Sequence, residues 1–122
     1  MARILLIEDD EDIADNTTLF LEIRKHEVTH VASGTDGLEQ LRYGNFDLAI
    51  MDGNLPDMDG IDVCGKYRAD GGKVPVLMTS GRSDPEDQKR GYDAGVSSYI
   101  VKPYSLTQLE NEIKALLGAV SS

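Results

Sequence analysis

Arg3-Ile4-Leu5-Leu6-Ile7-Glu8-Asp9-Asp10, near the start of the chain, sets a short apolar run directly against a cluster of acids. The same arrangement returns further on: Leu48-Ala49-Ile50-Met51 before Asp52, Val76-Leu77-Met78-Thr79 before Ser80, and Tyr99-Ile100-Val101 before Lys102-Pro103. Apolar runs this short, bounded by turn-forming residues, read as strands buried on both faces of a parallel sheet. In an open α/β sheet the ligand site lies outside the carboxyl ends of the strands. Carboxylates, a hydroxyl and an ammonium are therefore expected to converge at one end of one sheet. That set of groups suits a divalent cation and a phosphoryl group.

Between these runs the pattern changes to helix. A helix is expected over 12–25, with Ile13, Phe20, Leu21 and the stem of Arg24 near one face. Residues 28–32 alternate, Val28 in and Thr29 out, as a sheet edge would. Ser33-Gly34-Thr35-Asp36 opens a short helix carrying Leu38 and Leu41. Residues 53–60 read as loop from their Gly, Pro and Asp content. A helix over 61–69 ends at Asp70-Gly71-Gly72. Asp84-Pro85 is an N-cap followed by proline at the first helical position. That helix runs to Ala94 and stops at Gly95, a good C-terminal cap. Ser105 and Gln108 have capping-box spacing, and Leu109, Ile113, Leu116 and Leu117 then form an apolar stripe. Five strand–helix units with right-handed crossovers make a doubly wound, three-layer (βα)5 domain. Its expected strand order is 2-1-3-4-5, the flavodoxin-like order. The domain is expected over 1–118, with 119–122 as a tail or the stump of a linker.

The chain has 122 residues, 40% of them hydrophobic, enough for one core without staples. A formal net charge of -10 argues against direct contact with nucleic acid or an anionic membrane, and its ordinary role is solubility. Cys64 is the only cysteine, so no intrachain disulfide forms, and a small core residue is its expected place. No apolar run approaches the roughly 20 residues of a membrane helix. Met1-Ala2-Arg3 leads straight into a strand, with no signal-peptide pattern. A cytoplasmic location is the expectation.

If strands one and three are neighbours, Glu8, Asp9, Asp10 and Asp52 meet at the switch point of the sheet. Acidic runs ordinarily sit in solvent or cap a helix, but Asp52 ends a wholly apolar strand and precedes Gly-Asn-Leu-Pro, a poor capping context. Carboxylates held close repel one another unless a cation intervenes. Hard oxygen ligands beside open water suit Mg2+ better than calcium or zinc. A carboxylate can also act as a nucleophile and form an acyl phosphate, and phosphoryl transfer needs charge neutralisation at the oxygens. Lys102 could supply part of that, and Ser80 could donate a hydrogen bond. Lys102 precedes Pro103, which biases its backbone to an extended form and makes a cis bond plausible.

These pieces, together with Asp47, Leu55-Pro56, Asp59-Gly60, Val74-Pro75, Gly81, Gly91 to Gly95 and Tyr104, resemble the receiver domain of two-component response regulators. The resemblance spans nearly the whole chain. It implies that Asp52 is the phosphoacceptor, that Glu8 and Asp9 are the acidic pair, and that Asp9 binds Mg2+ directly with Glu8 acting through water. Asn54 would offer its backbone carbonyl to the metal. Lys102 would contact the phosphoryl group, Ser80 would be the switch hydroxyl and Tyr99 its aromatic partner. Ser80 is preferred over Thr79 because the family's residue follows the apolar run and precedes a small residue. The acidic pair could also be read as Asp9-Asp10; the apolar run favours Glu8-Asp9 and leaves Asp10 as an auxiliary acid or helix-start residue. Arg82 and Asn54 flank the expected site of water attack, at positions that tune self-hydrolysis in the family.

The implied partners are a sensor histidine kinase or phosphotransfer protein and an output domain or downstream protein. The implied assembly is a monomer or an activation-linked homodimer. The domain would be a signalling switch and not an enzyme in the ordinary sense. A phosphotransferase of the haloacid-dehalogenase type is the rival reading. It needs a second acid two residues after the nucleophile, where this chain has Asn54. A receiver-like interaction module that no longer accepts phosphate is a further alternative. A flavin carrier would want a phosphate loop after the first strand, and residues 8–12 are all acidic.

Overall fold

The computed structural model describes residues 2–121, with side chains through residue 118. Its strands are β1 (Arg3–Ile7), β2 (Glu27–Val31), β3 (Leu48–Asp52), β4 (Val76–Ser80) and β5 (Ser98–Val101). Its helices are α1 (Glu11–Ile23), α2 (Gly34–Tyr43), α3 (Gly60–Ala69), α4 (Pro85–Asp93) and α5 (Leu106–Ser121). The strands form one parallel sheet in the order β2-β1-β3-β4-β5, as expected. Among the described residues no helix is long and apolar enough to cross a membrane. Helix α5 continues through residue 121, so three residues of the expected 119–122 tail have helical backbone; Ser122 lies outside the described residues.

Alternation along the strands divides the core into two layers. Ile4, Leu6, Leu48, Ile50, Leu77 and Ile100 face Ala14 and Leu21 of α1 and Leu109 and Ile113 of α5. Leu5, Ile7, Ala49, Met51, Val76 and Met78 face Leu38 and Leu41 of α2 and Ile61, Val63, Cys64 and Tyr67 of α3. Every residue of β3 and β4 is buried, while β2, at an edge, has none buried. Cys64 sits in the core as a small apolar residue.

The helix ends follow local chemistry. Asp10 is the N-cap of α1 and accepts from Ile13 N, a helix-start position. Helix α1 ends at Ile23, short of the expected Lys25, because Lys25 has φ +68 and turns the chain into β2. That shift also moves β2 one residue earlier than 28–32. Asp84 caps α4 with Pro85 at its start, and Gly95 follows with φ +105, a conformation a side chain would strain. Ser105 accepts from Gln108 N and opens α5.

Candidate functional site

The register of the sheet carries the functional residues to one edge. Ile7 lies opposite Met51, so Glu8 and Asp52 emerge at the same level. Asp52 lies opposite Thr79, and Ser80 lies opposite Val101, which puts Lys102 next in line. Backbone bonds extend the ladder past the strand ends: Glu8 N donates to Val31 O, Gly53 N to Thr79 O and Lys102 N to Ser80 O. The Lys102-Pro103 bond is cis, as the sequence made plausible.

Glu8 and Asp52 are only 3% and 6% exposed, a rare condition for carboxylates without compensation. One carboxylate oxygen each from Glu8, Asp9 and Asp52 lies within 4.8 Å of the other two. Lys102 Nζ stands 3.4 Å from Asp52 Oδ1 and 3.7 Å from Glu8 Oε1. Burial, reinforced by the Asp52 charge, pushes the Glu8 carboxyl up to about 7. Burial alone would lower Lys102, but the charges of Asp52 and Glu8 outweigh it and raise the ammonium above its ordinary value. One ammonium against three carboxylates leaves the pocket negative. Such a pocket fits a hard cation with oxygen ligands: Glu8, Asp9 and Asp52 would hold Mg2+. Asn54 N donates to Asp52 Oδ1 at 3.0 Å, which places the Asn54 peptide at the same carboxylate.

Ser80 is fully buried at the end of β4, one residue further into the strand than expected. Its hydroxyl accepts from Arg82 N at 3.0 Å. Thr79, in the same strand, faces the other layer of the core by alternation. Ser80 and Tyr99 therefore share one side of the sheet. Tyr99 is half-buried and donates from its hydroxyl to Arg82 O at 3.0 Å.

Sequence reasoning left three neighbours without a role. Asp59, assigned to a loop, is the N-cap of α3 and pairs with Arg82. Gly60, expected just before the helix, begins it behind the Asp59 cap, and only glycine fits there, since a Cβ would lie 2.5 Å from Asp52 O. Asp57 reaches back to the start of α2, accepting from Gly34 N, Thr35 N and the Thr35 hydroxyl, and these bonds hold its carboxyl down to about 2. The loop after Asp52 is thus tied to two helices. Only the Asp-Met-Asp-Gly run, rich in capping residues, hinted at this.

Comparison with known proteins agrees with this architecture. The family model for the response regulator receiver domain matches residues 4–114. The transcriptional regulatory protein CseB of Streptomyces coelicolor is 39% identical over 115 residues, covering 94% of this chain and 49% of that protein. Response regulator RppA of Synechocystis is 34% identical over 116 residues, covering 93% of this chain and 50% of that protein. The chain thus spans about half the length of these relatives. A CheY-like receiver domain from Methanospirillum hungatei superposes with TM-score 0.90 at 32% identity, covering 98% of this chain and 95% of that one. The receiver domain of Francisella response regulator 1452 shares the fold with TM-score 0.94 at 24% identity, covering 98% and 99% of the two chains. With its strand order, its buried carboxylates beside Lys102 and these matches in view, the chain belongs to the response regulator receiver domain family.

Proposed function

We propose that this domain is a phosphorylation-activated switch in which Asp52 accepts a phosphoryl group from a phosphohistidine of a sensor kinase or phosphotransfer protein. The observation that carries the reading is the pair of buried carboxylates, Asp52 and Glu8, both in contact with the Lys102 ammonium. In the transfer the P–N bond of the donor breaks as an Oδ–P bond forms on Asp52. The electron pair stays with the imidazole nitrogen, which takes a proton from solvent. Lys102, whose Nζ lies 3.4 Å from Asp52 Oδ1, neutralises charge on the phosphoryl oxygens. Mg2+, held by Glu8, Asp9, Asp52 and the Asn54 carbonyl, would supply further charge stabilisation at the same oxygens. Ser80 then hydrogen-bonds the new phosphoryl group, and Tyr99 follows into the space it leaves.

Relatives named as transcriptional regulators suggest that the signal passes to an output domain or downstream protein that controls transcription. The acidic domain itself would make no contact with nucleic acid or membrane. It would act in the cytoplasm, as a monomer or as a homodimer formed on activation. The domain would catalyse only its own phosphotransfer and self-dephosphorylation. The test is labelling by a small phosphodonor such as acetyl phosphate, followed by intact-protein mass. Labelling is expected to require Mg2+ and to vanish in Asp52→Asn; undiminished labelling of that variant would refute the assignment.

A further inference from the structure

Arg82 has an arrangement that the phosphotransfer reaction does not call for. Its guanidinium makes a two-pronged pair with Asp59, Nη1 to Oδ2 and Nη2 to Oδ1, both at 3.1 Å. The two side chains are about a quarter exposed, at 26% and 27%. The same Nη2 donates to Gly53 O at 3.3 Å, and Nε lies 3.4 Å from Ser80 Oγ. The Arg82 peptide N–H donates to that same hydroxyl, and the Arg82 carbonyl accepts from Tyr99. One residue thus holds both members of the proposed relay while Asp59 holds it. Asp59 is in turn tied to α3, which it caps by accepting from Ile61 N at 3.0 Å.

The space for this arrangement exists because residue 53 is glycine. A Cβ there would lie 3.1 Å from Arg82 Nη2 and 3.2 Å from Ser80 Oγ. A side chain there would force Arg82 Nη2 or Ser80 to give by a few tenths of an ångström. Gly53 directly follows Asp52, so the guanidinium lies over the backbone that carries the phosphoacceptor.

We propose that Asp59 and Arg82 are positioning residues that latch the Ser80 hydroxyl in its resting orientation, so that their pair must loosen before that hydroxyl can meet a phosphoryl group on Asp52. The argument is one of position. In the resting domain Arg82 N and Nε hold the Ser80 oxygen at the strand end; its O–H is free to donate, but to reach a phosphoryl oxygen on Asp52 the hydroxyl must move toward Asp52 and away from the guanidinium. Whatever free energy the Asp59–Arg82 pair contributes in the resting state is subtracted from the active one. Bidentate carboxylate–guanidinium pairs are the stronger kind, and partial burial limits screening. The inference rests on the reading of Asp52 and Ser80 given above.

The test uses trifluoroberyllate, a phosphoryl mimic, titrated calorimetrically into the domain at saturating Mg2+. Asp59→Asn keeps an N-cap for α3 but loses the pair's charge. It is expected to bind the mimic about threefold to tenfold more tightly than the unaltered domain. In a Ser80→Ala background, where the latch has nothing to hold, Asp59→Asn is expected to change affinity by less than about twofold. An equal gain with and without Ser80 would mean that Asp59 acts only through its charge, and would overturn the proposal. So would no gain in Asp59→Asn. Failure of the unaltered domain to bind the mimic at all would bring down the Asp52 reading and the latch together, whereas binding without the Ser80-dependent difference removes the latch alone.

Discussion

Replacing Asp52 by asparagine is expected to stabilise the metal-free domain, although it removes an ion pair. Lys102 Nζ is 3.4 Å from Asp52 Oδ1, an attraction of about 5 kcal/mol at an effective dielectric of about 20. Against it stands Glu8, with an oxygen within 4.8 Å, a repulsion of at least about 3.5 kcal/mol on the same scale. Asp9 adds a weaker repulsion because it is exposed. Attraction and repulsion nearly cancel, and the cost of holding a carboxylate that is 6% exposed away from water remains. Asparagine keeps the oxygen that accepts from Asn54 N, and Lys102 keeps Glu8 at 3.7 Å. The expected gain is about 1–3 kcal/mol, a rise in melting temperature of roughly 3–10 °C for a domain of this size. The assay is thermal unfolding followed by circular dichroism in chelator at low salt and about pH 8, above the raised Glu8 value. Millimolar Mg2+ is expected to narrow the difference, because the unaltered pocket has more charge to offer the ion. A variant that melts at or below the unaltered domain in chelator would show that the pocket is not under electrostatic strain.

Two further outcomes follow from the same geometry. Lys102→Gln leaves Glu8 and Asp52 facing each other without their cation, so it is expected to cost about 1–3 kcal/mol without metal; Mg2+ is expected to bind it several-fold more tightly, as titration would read. His26 Nδ1 accepts from Ala2 N at 3.0 Å, and burial, with help from the positive charge of Arg24, lowers its pKa below the usual 6.5. The unfolded chain therefore takes up this proton first, so the contribution of His26 is full above about pH 6.5 and fades as pH falls through the lowered value. Urea midpoints measured from neutral to mildly acid pH are expected to fall less in His26→Gln than in the unaltered domain.

The strands were legible because their apolar runs are buried on both faces, as Ile4-Leu5-Leu6-Ile7 and Val76-Leu77-Met78 require. Helix α4 was legible from Asp84-Pro85 and Gly95 and not from its face, since Gly91 is its one buried residue. Helix ends were read less well: the left-handed turn at Lys25 is set by how β2 must pair with β1, a long-range demand. The acidic cluster could be assembled from strand order alone, because topology brings the ends of β1 and β3 side by side. The link between Asp59 and Arg82 could not. It joins residues far apart in sequence through a guanidinium whose path depends on an absent side chain at Gly53. No local pattern encodes such a contact.

Strand alternation also explains how a reaction at one residue can be felt across the sheet. Asp52 follows Leu48 and Ile50 on the α1–α5 side, and Lys102 follows Ile100 there. Ser80 follows Val76 and Met78 on the α2–α3 side, and Tyr99, packed beneath α4 against Gly91, lies on that side too. Charge chemistry and the proposed readout therefore occupy opposite faces of one sheet. Only at the carboxyl edge, where the strands stop and backbone no longer separates the layers, can a group on one face contact a group on the other. Gly53, Ser80 and Arg82 meet at that edge. A phosphoryl group on Asp52 would add negative charge beside a guanidinium already committed to Asp59, so it acts on the contact that crosses between the layers. Helix α4, anchored by so little buried surface, is the element with least to lose by moving in response.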